Sequence, residues 1–155
     1  MSDTPVEPRI AGRASRLGAP DHHDHHDHHG GCSCGGVRYA VSGPLRDVIN
    51  CHCTRCRRIT GHHMAASAAH PDDIVLSASA TLTWYDPVPT VHYGFCNVCG
   101  STLFWKADAE PDKLSIAAGT LDQPTGLRTT KALWVSEAGD YHERQPGIEE
   151  LALED

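Results

Sequence analysis

Apolar and polar residues alternate in short runs through the middle of the chain. Val37, Tyr39 and Val41 are interleaved with Arg38, Ala40 and Ser42, the two-residue period of a half-buried strand. Gly43-Pro44 then breaks the run. Further strand-like runs follow at 47–50, leading into Cys51, at 63–69, which is rich in Ala, and at 73–77 and 80–85. Asp86-Pro87-Val88-Pro89 reads as a turn. Residues 91–95 and 101–106 flank Cys96–Cys99 like the arms of a hairpin, and 113–120 and 131–135 complete the set. No stretch carries a long apolar period of 3.6 residues with caps. Residues 149–153 suit a short terminal helix, although their acidity argues for a mobile tail. Many short strands punctuated by Gly and Pro predict an all-β domain of about residues 31–136.

The flanks read differently. Residues 1–20 are polar and show no period, and residues 21–29 are Asp-His-His three times over, holding half of the 12 His. Residues 1–30 are therefore expected to be a disordered N-terminal segment. Clustered imidazoles also collect zinc or nickel, but a catalytic ligand must be held rigidly, and such a tract does not hold one. Residues 1–30 carry 3 basic and 5 acidic groups, residues 31–136 carry 9 and 8, and residues 137–155 carry 1 and 7. The acidity thus sits in the flanks, above all in an acidic C-terminal tail, and no basic footprint for a nucleic acid is present. No apolar run approaches the roughly 18 residues of a membrane helix, and no apolar leader opens the chain. A cytoplasmic location is expected. Aromatic residues make up only 6% and Phe occurs twice, so the core is modest and another source of stability is needed.

The 7 Cys supply a candidate. An odd count argues against a disulfide framework, and reduced thiols in a cytosolic compartment are the better reading. They fall into three groups: Cys32-x-Cys34, Cys51-x-Cys53-x-x-Cys56 and Cys96-x-x-Cys99, the last followed by Gly100. Two separated pairs make a closed tetrahedral site of the structural kind, so Cys32 and Cys34 are paired with Cys96 and Cys99. Cys51, Cys53 and Cys56 remain as three sulfurs within six residues. Three protein ligands with a fourth position open mark a catalytic site. Closure by His52, His62, His63 or His92 would make the site structural, and redox chemistry of the thiols is a third reading. If the position is open, three thiolates make the metal a poor activator of water. Capture of an incoming thiol, deprotonated by coordination, is then the natural chemistry. Arg55, Arg57 and Arg58 form the densest basic cluster in the chain. Arg57 and Arg58 are the candidates to hold carboxylates of an anionic thiol, and His52 and His63 are possible proton carriers.

These segments, Gly31-Cys32-Ser33-Cys34-Gly35-Gly36-Val37-Arg38-Tyr39, Cys51-His52-Cys53-Thr54-Arg55-Cys56-Arg57-Arg58 and Phe95-Cys96-Asn97-Val98-Cys99-Gly100, together resemble the glutathione-dependent formaldehyde-activating enzyme family, to which centromere protein V is related. The resemblance implies a small zinc-clasped, β-sandwich-like domain of short antiparallel strands. It implies two zinc ions per chain: a structural one on Cys32, Cys34, Cys96 and Cys99, and a catalytic one on Cys51, Cys53 and Cys56. The implied activity is that of a carbon–sulfur lyase, S-(hydroxymethyl)glutathione synthase-like, whose partners are glutathione or a similar thiol and formaldehyde or another small aldehyde. The family often has a His before an apolar strand and a Trp after it, where this chain reads Lys131-Ala132-Leu133-Trp134-Val135 and then Tyr141. That departure bears on the substrate. The alternative function is a non-catalytic zinc module that binds a protein partner through two closed structural sites.

Overall fold

The structure is a computed structural model and describes residues 28–154. The disorder expected for residues 1–30 therefore falls almost wholly outside the described residues. The chain is all-β, with one short α-helix and three 3-10 turns among the described residues. A three-stranded sheet has the order β1-β2-β5 (His28–Gly31, Arg38–Val41, Ile74–Ala78). An eight-stranded sheet is built from β3 (Val48–Cys51), β4 (Met64–Ala69), β6 (Leu82–Val88), β7 (Val91–Cys96), β8 (Thr102–Ala107), β9 (Leu114–Ala117), β10 (Thr129–Leu133) and β11 (Glu149–Glu150). Its order is β11-β10-β3-β4-β9-β8-β7-β6. Most pairings are antiparallel; β10 runs parallel to both β3 and β11.

The main core lies between the sheets. Val37, Tyr39 and Val41 from one meet Leu103, Phe104 and Ile116 from the other, and Cys32 and Cys96 belong to the same cluster. Tyr39 and Phe104 meet edge to face with centroids 5.3 Å apart, a geometry that the aromatic quadrupole favours. The Tyr39 hydroxyl lies 2.7 Å from Thr120 Oγ1, so the buried phenol is not left without a partner. Gly30 makes this packing possible, because a Cβ there would lie 2.3 Å from Tyr39 Oη. β4 explains its own Ala content: it is central, between β3 and β9, and five of its six residues are buried. Both faces are covered, which leaves room only for small side chains apart from Met64.

Three local readings are corrected. Asp86-Pro87-Val88 is not a turn but part of β6, with a register shift between Tyr85 and Val88. β6 is an edge strand, where proline's missing N–H breaks no ladder bond, and the turn moves to Pro89-Thr90. The basic stretch after Cys53, where no helix was expected, is α1 (Thr54–Thr60), ended by Gly61 at φ 86°. The terminal helix considered for residues 149–153 is instead β11 and a following stretch that returns along β10. Leu151 N–H donates to Ala132 O at 2.9 Å and Trp134 N–H to Leu153 O at 3.2 Å. The acidic side chains find partners there, with Lys131 to Glu149 at 3.3 Å and Arg144 to Glu150 at 2.8 Å.

Candidate metal centre

The two sheets bring the seven cysteines into two groups, in each of which all the sulfurs lie within 4.8 Å of one another: Cys32, Cys34, Cys96 and Cys99, and Cys51, Cys53 and Cys56. In the first, the turn after β1 meets the turn between β7 and β8, so the group spans both sheets. A tetrahedral zinc with Zn–S bonds of about 2.3 Å sets its sulfurs roughly 3.8 Å apart. Cys32 to Cys34 and Cys34 to Cys96 are each 3.6 Å, so the donor set fits such an ion. Cys32 and Cys96 are buried and Cys34 and Cys99 exposed. Polar groups converge on the sulfurs: Val37 N–H donates to Cys32 Sγ at 3.2 Å, Thr81 Oγ1 lies 3.2 Å from Cys96 Sγ and Ser101 Oγ 3.2 Å from Cys99 Sγ. The Ser101 hydroxyl and backbone draw the Cys99 thiol down to about 5. Gly100, at φ 77°, closes the β7–β8 turn with its N–H on Cys96 O at 2.8 Å, a conformation that favours glycine.

The second group is built by a strand end and a helix start. Cys51 ends β3, Cys53 is the N-cap of α1 and Cys56 lies one turn in. Cys53 Sγ accepts from Cys56 N–H at 3.4 Å, in the manner of an N-cap oxygen. The helix start is held by a distant residue as well, because Thr54 N–H donates to Glu137 Oε2 at 2.6 Å. Cys56 packs with Met64, Ala66 and Tyr93 in a small second core. Tyr93 Oη is 3.4 Å from Cys56 Sγ, and burial pushes the phenol's pKa up. It therefore stays protonated and has a proton to donate to the sulfur. Hydrogen bonds from Cys51 and Cys56 draw the Cys53 thiol down, while bonds to the other two sulfurs push Cys51 up. The trio so holds a thiolate readily, which suits a cation.

Among the described residues, no imidazole or carboxylate joins this trio. Of the four histidines considered for closing it, His92 is committed elsewhere, bonded to Asp86 at 2.7 Å and Asp108 at 3.0 Å. His52, His62 and His63 lie together instead, with His142, a residue that sequence reasoning passed over. His52, His63 and His142 form a third group, with ligand atoms within 4.8 Å of one another. Burial first, then the fields of His142, His63 and His62, lower the pKa of His52 to about 4.

The arginines divide. Arg58 is exposed, whereas Arg57 is half-buried and its Nε has no partner. Arg57 also lies four residues from Cys53, on one helix face with it. The charge of Arg55 is felt at Tyr93. An open groove of about 330 Å³ is lined by Ile59, Tyr85, Tyr93, Phe95, Gly100 and Thr102; of these Tyr93 also meets Cys56 through its hydroxyl, and none of the three cysteines lines the groove. Tyr93, Glu137 and His142 carry no local sequence signal; each reaches its place only through the sheet order.

A family model described as glutathione-dependent formaldehyde-activating enzyme matches residues 27–137. Among solved structures, the crystal structure of a Rhodobacter sphaeroides protein is similar. It has a TM-score of 0.54 and 26% identity, and the match covers 63% of this chain and 91% of that one.

Proposed function

The chain belongs to the glutathione-dependent formaldehyde-activating enzyme family, and from that premise we propose that it is a zinc-dependent carbon–sulfur lyase of the S-(hydroxymethyl)glutathione synthase kind. Its substrates are glutathione or a similar thiol and formaldehyde or another small aldehyde. The observation that carries this reading is a trio of sulfurs, Cys51, Cys53 and Cys56, with no fourth donor among the described residues. Two zinc ions per chain are proposed on the cysteines: one holding the sheets together through Cys32, Cys34, Cys96 and Cys99, the other at the trio. Zinc at the trio supplies the positive charge that keeps an arriving thiol deprotonated at neutral pH.

The protein's own groups do the rest. Tyr93 fixes Cys56 through its hydroxyl, and Arg57 and Arg58 hold the carboxylates of the thiol substrate, with Arg57 the better placed. In the reaction the thiol sulfur's electron pair forms the C–S bond. The carbonyl π pair moves onto oxygen, and the thiol's proton ends there. Residues 31–136 are proposed as the catalytic domain, flanked by the histidine-bearing segment and the acidic terminal segment. Among the described residues no helix is long and apolar enough to cross a membrane, and a cytoplasmic site of action is proposed.

The test is the exchange rate between formaldehyde, glutathione and S-(hydroxymethyl)glutathione at equilibrium, read by NMR with the zinc-loaded full chain. Acceleration over buffer and over Cys53→Ser is expected. A rate equal to the uncatalysed background retires the formaldehyde assignment.

A further inference from the structure

His52 is the largest unexplained polar side chain in the interior. It is 1% exposed, and neither ring nitrogen has a hydrogen-bond partner. Buried polar atoms nearly always have partners, so two without one on a single ring call for an explanation. Its neighbours are imidazoles. The His52 ring centroid lies 4.2 Å from that of His142 and 4.7 Å from that of His63, and His63 Nδ1 is also buried without a partner. The three ligand atoms are no farther than 4.8 Å apart.

The group is separate from the cysteine trio. His52 stands between Cys51 and Cys53, and residues adjacent along an extended chain point to opposite faces. Asn50, two residues earlier on the face of His52, likewise has a buried Oδ1 without a partner. His63 follows the Gly61 cap that ends α1, and His142 arrives on the segment after β10. Tyr141 of that segment is anchored by its hydroxyl to Gly61 O at 3.5 Å.

We propose that His52, His63 and His142 form a third metal site, distinct from both cysteine groups, that takes a divalent first-row transition cation such as zinc. Three imidazoles without a carboxylate select such an ion over magnesium or calcium, which need oxygen ligands. The site joins the β3–α1 junction, the α1–β4 turn and the C-terminal segment, and so clasps residues 139–142 over the end of α1. It stands whether or not the chain acts on formaldehyde.

Cobalt(II) is the probe, because cysteine-bound cobalt shows thiolate charge-transfer absorption and histidine-bound cobalt does not. The reduced full chain is titrated beside His63→Ala, His142→Ala and His62→Ala; the tract at 21–29 contributes equally to all four. The full chain and His62→Ala are expected to take up one equivalent more than the other two, and that equivalent adds visible absorption without charge transfer. Undiminished charge transfer in His142→Ala shows that the cysteine sites and fold survive. Equal uptake by all four proteins overturns the proposal. So does loss of charge transfer in a folded His142→Ala, which would assign the histidines to the cysteine trio, and loss of the equivalent in His62→Ala would overturn the three-ligand assignment.

Discussion

The two cysteine groups have the same chemistry and opposite surroundings. Cys32 and Cys96 sit inside the main core, and their group joins two sheets across more than 60 residues of chain. The trio of Cys51, Cys53 and Cys56 comes from six consecutive residues and lies on a small core of four buried side chains. The first group is linked to most of the packing in the protein; the second is held by a strand end, one helix turn and the Tyr93 hydroxyl. Four sulfurs satisfy a tetrahedral ion, while three leave a position. The contrast teaches that connectivity and ligand number, not ligand type or burial, distinguish the two groups: Cys34 and Cys99 of the first are exposed, and no cysteine of the trio is.

The strongest way to break this comparison is Cys99→Ser. Cys99 is exposed, so the change removes a ligand without disturbing the core. Structural zinc contributes on the order of 10 kcal/mol in small zinc domains, comparable to the whole stability of a domain. Loss of cooperative melting by circular dichroism, with loss of zinc, is expected; a folded protein that keeps its full metal content would sink the four-cysteine assignment. Cys53→Ser should do the reverse, keeping the fold and losing one zinc equivalent and all turnover above background. Unfolding on that change would make the trio structural as well.

Tyr93→Phe sharpens the contrast more gently. Removing a hydrogen bond to a ligand typically costs about 10–100-fold in metal affinity, so zinc competition should show weakening at the trio and none at the other group. Arg57→Gln should raise KM for the thiol about tenfold, or about 1.4 kcal/mol, with kcat little changed. An unchanged KM would remove Arg57 from substrate binding. The smallest effect concerns His92, which belongs to neither group. The hydrogen bonds from Asp86 and then Asp108 raise the pKa of His92, so its contribution to stability is full below the unfolded value near 6.5 and fades as pH rises through the raised folded value. The difference in Tm between the parent protein and His92→Gln should be larger at pH 6 than at pH 9. An equal difference would mean that the ion pair contributes nothing measurable.

What the sequence made legible was local. Alternation at Val37, Tyr39 and Val41 marked β2, the Cys96–Cys99 knuckle marked the β7–β8 hairpin, and the all-β class followed from the punctuation between runs. The family resemblance agrees with the matching family model. α1 was illegible because only Cys56 and Ile59 give it an apolar side and seven residues are too few to show a period; its first turn is secured by Glu137, over 80 residues away. β11 was hidden by its charge, which makes sense only once Lys131 and Arg144 are beside it. The histidine group was illegible for the same reason. His52, His63 and His142 share no spacing, and only the return of the C-terminal segment brings the third to the other two.

The separation in sequence of the two cysteine groups has a consequence for the order of assembly. Closing a six-residue loop costs little chain entropy, whereas bringing Cys34 to Cys96 closes a loop of more than 60 residues. On a chain emerging from its N-terminus, the trio has all its ligands once residue 56 is out. The clasp waits for residue 99 and for most of both sheets. Of the two cysteine groups, the local one would thus meet metal first and the long-range one second, and the step that locks the sheets together would be the more exposed of the two to competition for metal while the protein is being made.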